Sequence, residues 1–73
     1  MEIEKLTTKI ALVVLETIKN YRYDYDRAHN IEDEVRETFI KGLSIGLYNH
    51  EEAMQIAGIL IQSSDIPFPR ECA

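Results

Sequence analysis

The chain has 73 residues, of which 45% are apolar and 29% are charged, and its formal net charge is −5. These values fit one small folded domain, whose single core is marginally stable and is usually supplemented by a disulfide, a metal or association with another chain. The acidic balance disfavours general binding to nucleic acid, and the longest apolar run, residues 10–15, is far too short to span a bilayer.

The first helix is predicted over about residues 3–22, because apolar side chains recur there at three- and four-residue steps. Its centre, residues 10–15, is apolar on almost every side and therefore needs neighbours on more than one side. Two further helices of the same chain can cover part of this surface. We expect a second copy of the protein to cover the rest, so that a self-association seam forms at Leu12, Val14 and Leu15.

A tyrosine-rich segment, residues 21–26, follows the first helix. Tyrosine and arginine are enriched at binding hot spots because they combine a large apolar area with a polar group. We predict that Arg22, Tyr23 and Tyr25 form a surface that binds a partner protein. In the alternative interpretation, Tyr21 and Tyr25 share one face of a continuing helix and cover the end of the core.

The second helix is predicted over about residues 31–47, with Asn30 as its N-cap. Glu32 and Arg36 stand at the favourable four-residue spacing for an ion pair, on a charged face that we interpret as solvated. The buried stripe of this helix is expected to contain Ile31, Val35, Phe39, Leu43 and Leu47.

Two glycines, Gly42 and Gly46, lie four residues apart inside this helical segment. A glycine in a helix interior costs roughly 1 kcal/mol relative to alanine, so another interaction should offset it. We predict close helix packing at both positions, where the missing side chains let two backbones approach. For Gly46 the alternative is that the glycine ends the second helix.

The third helix is predicted over about residues 50–63. Asn49 is a good N-cap, and Glu52 stands three residues later in the position of a capping box. We expect the helix to fray around Ser63 and Ser64. Its buried stripe should contain Ala53, Ile56, Ala57, Leu60 and Ile61.

The last segment, residues 65–73, contains two prolines and cannot continue a helix. We expect a tail that is either disordered or laid across the bundle through Ile66 and Phe68. Its Cys72 is the single cysteine of the chain, which excludes an internal disulfide and suits a reducing compartment. The acidic start of the chain, residues 1–4, does not resemble a signal peptide, so we predict a cytoplasmic location.

Binding to DNA is an alternative function for the second and third helices. They could form a helix-turn-helix with Gly46 in the turn and the recognition helix starting at Asn49. That helix would present Glu51 and Glu52 to the phosphates, where lysine or arginine is needed. The charge therefore opposes this interpretation.

Metal binding and catalysis have weaker support still. Asp26 and His29 are three residues apart and could share a metal on a helix, but no second ligand pair of the Glu-x-x-His kind accompanies them. Cys72 has no oriented base near it in the sequence. We therefore predict no catalytic residue, no metal and no cofactor.

These observations together predict an all-α protein. We expect a small three-helix antiparallel bundle at residues 1–64, an extended proline-containing tail at 65–73, and dimerisation into a larger bundle. The predicted function is that of a non-enzymatic protein-interaction module, a small regulator, adaptor or inhibitor, with no nucleic-acid or membrane partner.

Overall fold

The computed structural model describes residues 5–67. Helix α1 spans Thr8–Asn20, α2 spans Tyr25–Ser44 and α3 spans His50–Leu60, followed by a short 3₁₀ helix at Ile61–Asp65. This part of the chain contains no strand, and none of its helices is long and apolar enough to cross a membrane. The prediction of an all-α protein with three helices is confirmed.

The first two helices begin at residues other than those predicted. Thr7 caps α1 by accepting a hydrogen bond from the backbone N–H of Ile10, so the helix starts at Thr8 and residues 5–7 are not helical. Asp24 caps α2 by accepting from the backbone N–H of Arg27 at 3.5 Å. Because this cap precedes the predicted one, Asn30 lies inside α2 and its predicted capping role is wrong.

The third helix begins as predicted. The Asn49 side chain accepts from the backbone N–H of Glu52 at 2.8 Å, and the Glu52 carboxylate accepts from the backbone N–H of Asn49 at 3.1 Å. This reciprocal pair satisfies two backbone donors at the helix start and confirms the capping box. The end of the helix differs, because the chain tightens into the 3₁₀ helix instead of fraying.

Two core clusters show how the helices are arranged. The first cluster contains Leu6, Ala11, Val35, Phe39, Ile56 and Leu60. The second contains Leu15, Ile18, Ala28 and Ile66. The second half of α1 therefore packs on the start of α2 and on the residue that follows the 3₁₀ helix, while the start of α1 packs beside the end of α2. The first two helices, α1 and α2, consequently run in opposite directions.

The beginning of the predicted tail is part of the fold. Ile66 is only 5% exposed and packs in the second core cluster against α1 and α2. Ile66 thus packs on the helices, whereas Phe68 and Cys72 lie outside the described residues, so the choice between a docked and a disordered tail stays a prediction.

The buried stripe of α2 is rotated from the predicted one. Its buried positions are 28, 32, 35, 39 and 42, which repeat at steps of four and three residues. Leu43, predicted to be buried, is 43% exposed, and Ile31 and Leu47 are only half-buried. The rotation brings Glu32 into the interior and turns part of the apolar surface of α2 outward.

Gly46 ends α2 and does not mediate a close helix contact within the described chain. Its φ of 73° is left-handed, and apart from its two chain neighbours no residue of 5–67 has an atom within 4 Å of where a Cβ would stand. The N–H of Gly46 donates to the carbonyl of Leu43, and the N–H of Leu47 donates to the carbonyl of Gly42. This pair of bonds is a Schellman motif, which explains the glycine through its backbone conformation.

Gly42 is closely packed, but against a side chain and not against a helix. A Cβ at this position would stand 2.6 Å from Cε2 of Tyr48, so the ring occupies the space that the glycine leaves. The Tyr48 hydroxyl accepts a hydrogen bond from the backbone N–H of Leu6 at 2.9 Å, and its ring lies 5.2 Å from that of Phe39. Tyr48 thus joins the α2–α3 connection to the segment that precedes α1.

Candidate functional site

The connection between α1 and α2 presents three tyrosines to solvent. Tyr23 is 81% exposed, Tyr25 is 47% exposed and Tyr21 is 36% exposed. Arg22 and Arg27 accompany them, and we call these five residues the Tyr–Arg corner. The caps described above place it, since α1 ends at Asn20 and α2 begins at Tyr25. Tyr21 and Tyr25 therefore belong to different elements and do not share a face of one helix.

Each arginine of the corner lies over a tyrosine ring. The guanidinium carbon of Arg22 is 4.6 Å from the ring centroid of Tyr23, and that of Arg27 is 4.9 Å from the ring centroid of Tyr21. Arg22 also donates to the carbonyl of Lys19 at 2.8 Å, which satisfies one of the last backbone acceptors of α1. These cation–π and hydrogen-bond contacts restrict the motion of the arginine and tyrosine side chains. The entropy cost of ordering the same side chains on binding is thereby reduced.

A shallow groove borders the corner where the 3₁₀ helix ends. Its volume is about 360 Å³, and it is lined by Lys19, Arg22, Gln62, Asp65, Ile66 and Pro67. The lining combines cationic, anionic, amide and apolar groups, which is the mixture found at the rim of a protein interface. A side chain inserted there would contact Arg22 directly.

The residues of the predicted self-association seam lie in three different environments. Leu12 is 53% exposed, Val14 is half-buried against both core clusters, and Leu15 is 5% exposed inside the second cluster. Leu15 is therefore covered by this chain and is not on an outer surface. Val13, which was not assigned to the seam, is 59% exposed beside Leu12.

The Glu32–Arg36 pair was predicted to lie on a solvated face, and this prediction is wrong for Glu32. Glu32 is 1% exposed, and its carboxylate lies 3.6 Å from the guanidinium of Arg36. Arg36 also donates to the hydroxyls of Ser63 at 2.7 Å and Ser64 at 3.1 Å. The pair thus links α2 to the 3₁₀ helix, and this contact replaces the predicted fraying at the two serines.

His29 has a local partner on α2. Its Nε2 lies 3.1 Å from the carboxylate of Asp33, one helical turn away, while its Nδ1 is buried without a hydrogen-bond partner among the described residues. Within residues 5–67, no group of three or more histidine, cysteine or acidic side chains is arranged to hold a metal ion. The alternative prediction was a metal site at Asp26 and His29, and the described residues supply no further ligand for it.

Comparisons of the chain with protein-family models, with curated proteins and with solved structures find no match.

Proposed function

We propose that this protein is a non-enzymatic protein–protein interaction module, a small homodimeric regulator, adaptor or inhibitor, that binds its partner through the Tyr–Arg corner. One observation carries the proposal: Tyr23 is 81% exposed while the guanidinium of Arg22 lies 4.6 Å from its ring centroid. A large aromatic side chain that residues 5–67 leave exposed, but that a neighbouring arginine restricts, is suited to insertion into a partner's pocket.

The rest of the corner supports the same function. Tyrosine and arginine dominate hot spots because they bury a large area and still make polar contacts. Tyr21 and Tyr25 extend the apolar area on both sides of Tyr23, and the bordering groove supplies the polar rim. The proposal retains the cytoplasmic location predicted from the single cysteine.

DNA binding finds no specific support in the geometry. The start of α3, which would be the recognition helix, carries an exposed Glu51 and a half-buried Glu52 whose carboxylate is paired with Lys5 at 3.1 Å. An acidic first turn repels phosphates and cannot release counterions from a nucleic acid.

The proposal is tested by a matched pair of alanine variants, Tyr23→Ala and Ile45→Ala. Both side chains are exposed at a connection between helices, but Ile45 lies at the α2–α3 connection, away from the corner. A protein that co-purifies stoichiometrically with the tagged wild type from its own cells would be identified, purified and titrated calorimetrically against each variant.

We expect Tyr23→Ala to weaken binding at least about 30-fold, the range of a hot-spot residue, and Ile45→Ala to change it less than about threefold. Circular dichroism would confirm that both variants fold. Equal binding by Tyr23→Ala and the wild type would overturn the assignment of this surface.

A further inference from the structure

A second apolar surface lies at a groove between α2 and α3. The groove has a volume of about 170 Å³ and is lined by Arg36, Phe39, Ile40, Ala57, Leu60 and Ile61. Two large side chains of its lining are open to solvent, Ile40 at 62% and Ile61 at 63% exposure, and Met54, one helical turn before Ala57 on α3, is 62% exposed. We call the following set the α2–α3 face: Ile40, Leu43, Met54, Ala57, Gly58 and Ile61.

This face forms a continuous apolar stripe on α3. Positions 54, 57, 58 and 61 follow helical spacing, and no charged residue occurs between positions 54 and 61. The outer surface of α1 is different. There the exposed Leu12 and Val13 both have Lys9 and Glu16 as neighbours one turn away, so charge interrupts the apolar area.

No contact within residues 5–67 accounts for Gly58. The chain has three glycines; Gly42 makes room for Tyr48, and Gly46 adopts a positive φ. Gly58 lies inside α3, its φ is not left-handed, and no atom of residues 5–67 outside its own helical turns lies within 4 Å of where its Cβ would stand. Glycine weakens a helix relative to alanine, so its position on an exposed apolar stripe is accounted for by close approach of a backbone other than that of residues 5–67.

We propose that the α2–α3 face is the homodimer interface, with α3 packed antiparallel against α3 of a second copy. The inference rests on the self-association included in the proposed function and moves the interface away from α1. The stripe is symmetric in size, since the large Met54 and Ile61 flank the small Ala57 and Gly58. A two-fold axis between the small residues would set Met54 of one copy against Ile61 of the other and bring the backbones close together.

The exposed area agrees with a second copy as the occupant. The exposed area of each large side chain is its exposed fraction multiplied by the apolar area of a full aliphatic side chain. For Ile40, Leu43, Met54 and Ile61 this product is roughly 70–100 Å² each. When Ala57, Gly58 and the flanking polar side chains are added, dimerisation would bury roughly 500 Å² on each copy. The total of about 1,000 Å² is the lower limit of a specific interface. We therefore expect a reversible dimer that dissociates in the micromolar range.

The test compares Ala57→Lys with the matched control Leu12→Lys, because both residues are exposed on helices and lysine suits both helices. Mass is measured by light scattering and sedimentation equilibrium from 1 to 500 μM under reducing conditions, with circular dichroism to check folding. The wild type and Leu12→Lys should reach about 17 kDa, twice the chain mass of 8.5 kDa, with dissociation constants within about threefold of each other. Ala57→Lys should remain at the monomer mass throughout.

A wild type that stays monomeric at 500 μM would overturn the proposal. So would loss of the dimer in Leu12→Lys, whether or not Ala57→Lys also loses it. Gly58→Ala serves as a second variant if Ala57→Lys fails to fold: it should raise the melting temperature of the monomer and weaken dimerisation at least tenfold, and an unchanged dimer would contradict close backbone approach. None of these results affects partner binding, because the Tyr–Arg corner lies on other residues and is tested by Tyr23→Ala.

Discussion

Replacing Gly42 by alanine tests whether Tyr48 is held in place by its contacts. Alanine favours the helix by about 1 kcal/mol over glycine. The new Cβ, however, would stand 2.6 Å from Cε2 of Tyr48 and force the ring to move. Overpacking of this kind costs about 1–3 kcal/mol, and loss of the hydrogen bond from Leu6 to the Tyr48 hydroxyl costs about 1 kcal/mol more. We expect Gly42→Ala to destabilise the monomer by a net of roughly 1–3 kcal/mol.

Gly58→Ala is the matched control, because it makes the same chemical change in a helix with open space around it. No atom of residues 5–67 would meet its Cβ within 4 Å, so only the helix propensity changes and the monomer should gain about 1 kcal/mol. Urea unfolding followed by circular dichroism, at a concentration where light scattering gives the monomer mass, measures both. Equal stability of the two variants would refute the reasoning, since it would mean that the Tyr48 ring moves at no cost.

Two further substitutions examine the polar contacts. Arg36→Met removes the cation that lies 3.6 Å from the buried Glu32 carboxylate and the donor to the hydroxyls of Ser63 and Ser64, so unfolding in urea should show a loss of about 2–3 kcal/mol. A loss below about 0.5 kcal/mol would contradict this role. Glu52→Gln tests pH dependence. The Asn49 backbone N–H, and then Lys5, hold the pKa of Glu52 below its usual 4.5, so its ionised form stabilises the fold above that pH. The melting temperature of the wild type should exceed that of Glu52→Gln at pH 7. This difference in melting temperature should shrink as the pH falls through the lowered pKa of Glu52. A difference that stays constant down to pH 3 would argue against the ion pair.

Features decided by neighbouring residues could be predicted from the sequence. The capping box of α3 needs only Asn49 and Glu52, which stand three residues apart, so the start of α3 was predicted correctly. The start of α2 was wrong because Asp24 and Asn30 are both good caps, and local sequence does not decide between them. In the structure Ala28 is helical and packs against Leu15 and Ile18 of α1, a contact between distant residues that the local sequence does not show.

Features that depend on distant residues could not be predicted. Glu32 was interpreted as solvated because its pattern with Arg36 is typical of an exposed face. Its burial involves Ser63, a residue 27 positions from Arg36, and no local pattern signals that contact. The exposure of Tyr23, in contrast, followed from its position outside the apolar stripe of α1, and the structure places it at 81% exposure. A role for Gly58 could not be predicted from the sequence, because the effect of a single glycine in a helix depends on which groups surround it.

The most direct test of the proposed interaction surface is site-specific photo-crosslinking in the protein's own cells. A benzophenone amino acid would replace Tyr23 in one variant and Glu37, an exposed residue of α2 outside the corner, in the other. We expect one discrete crosslinked protein from position 23, which disappears when Arg22→Ala is added and is absent from position 37. The same crosslinked products from both positions, or none from position 23, would contradict this expectation.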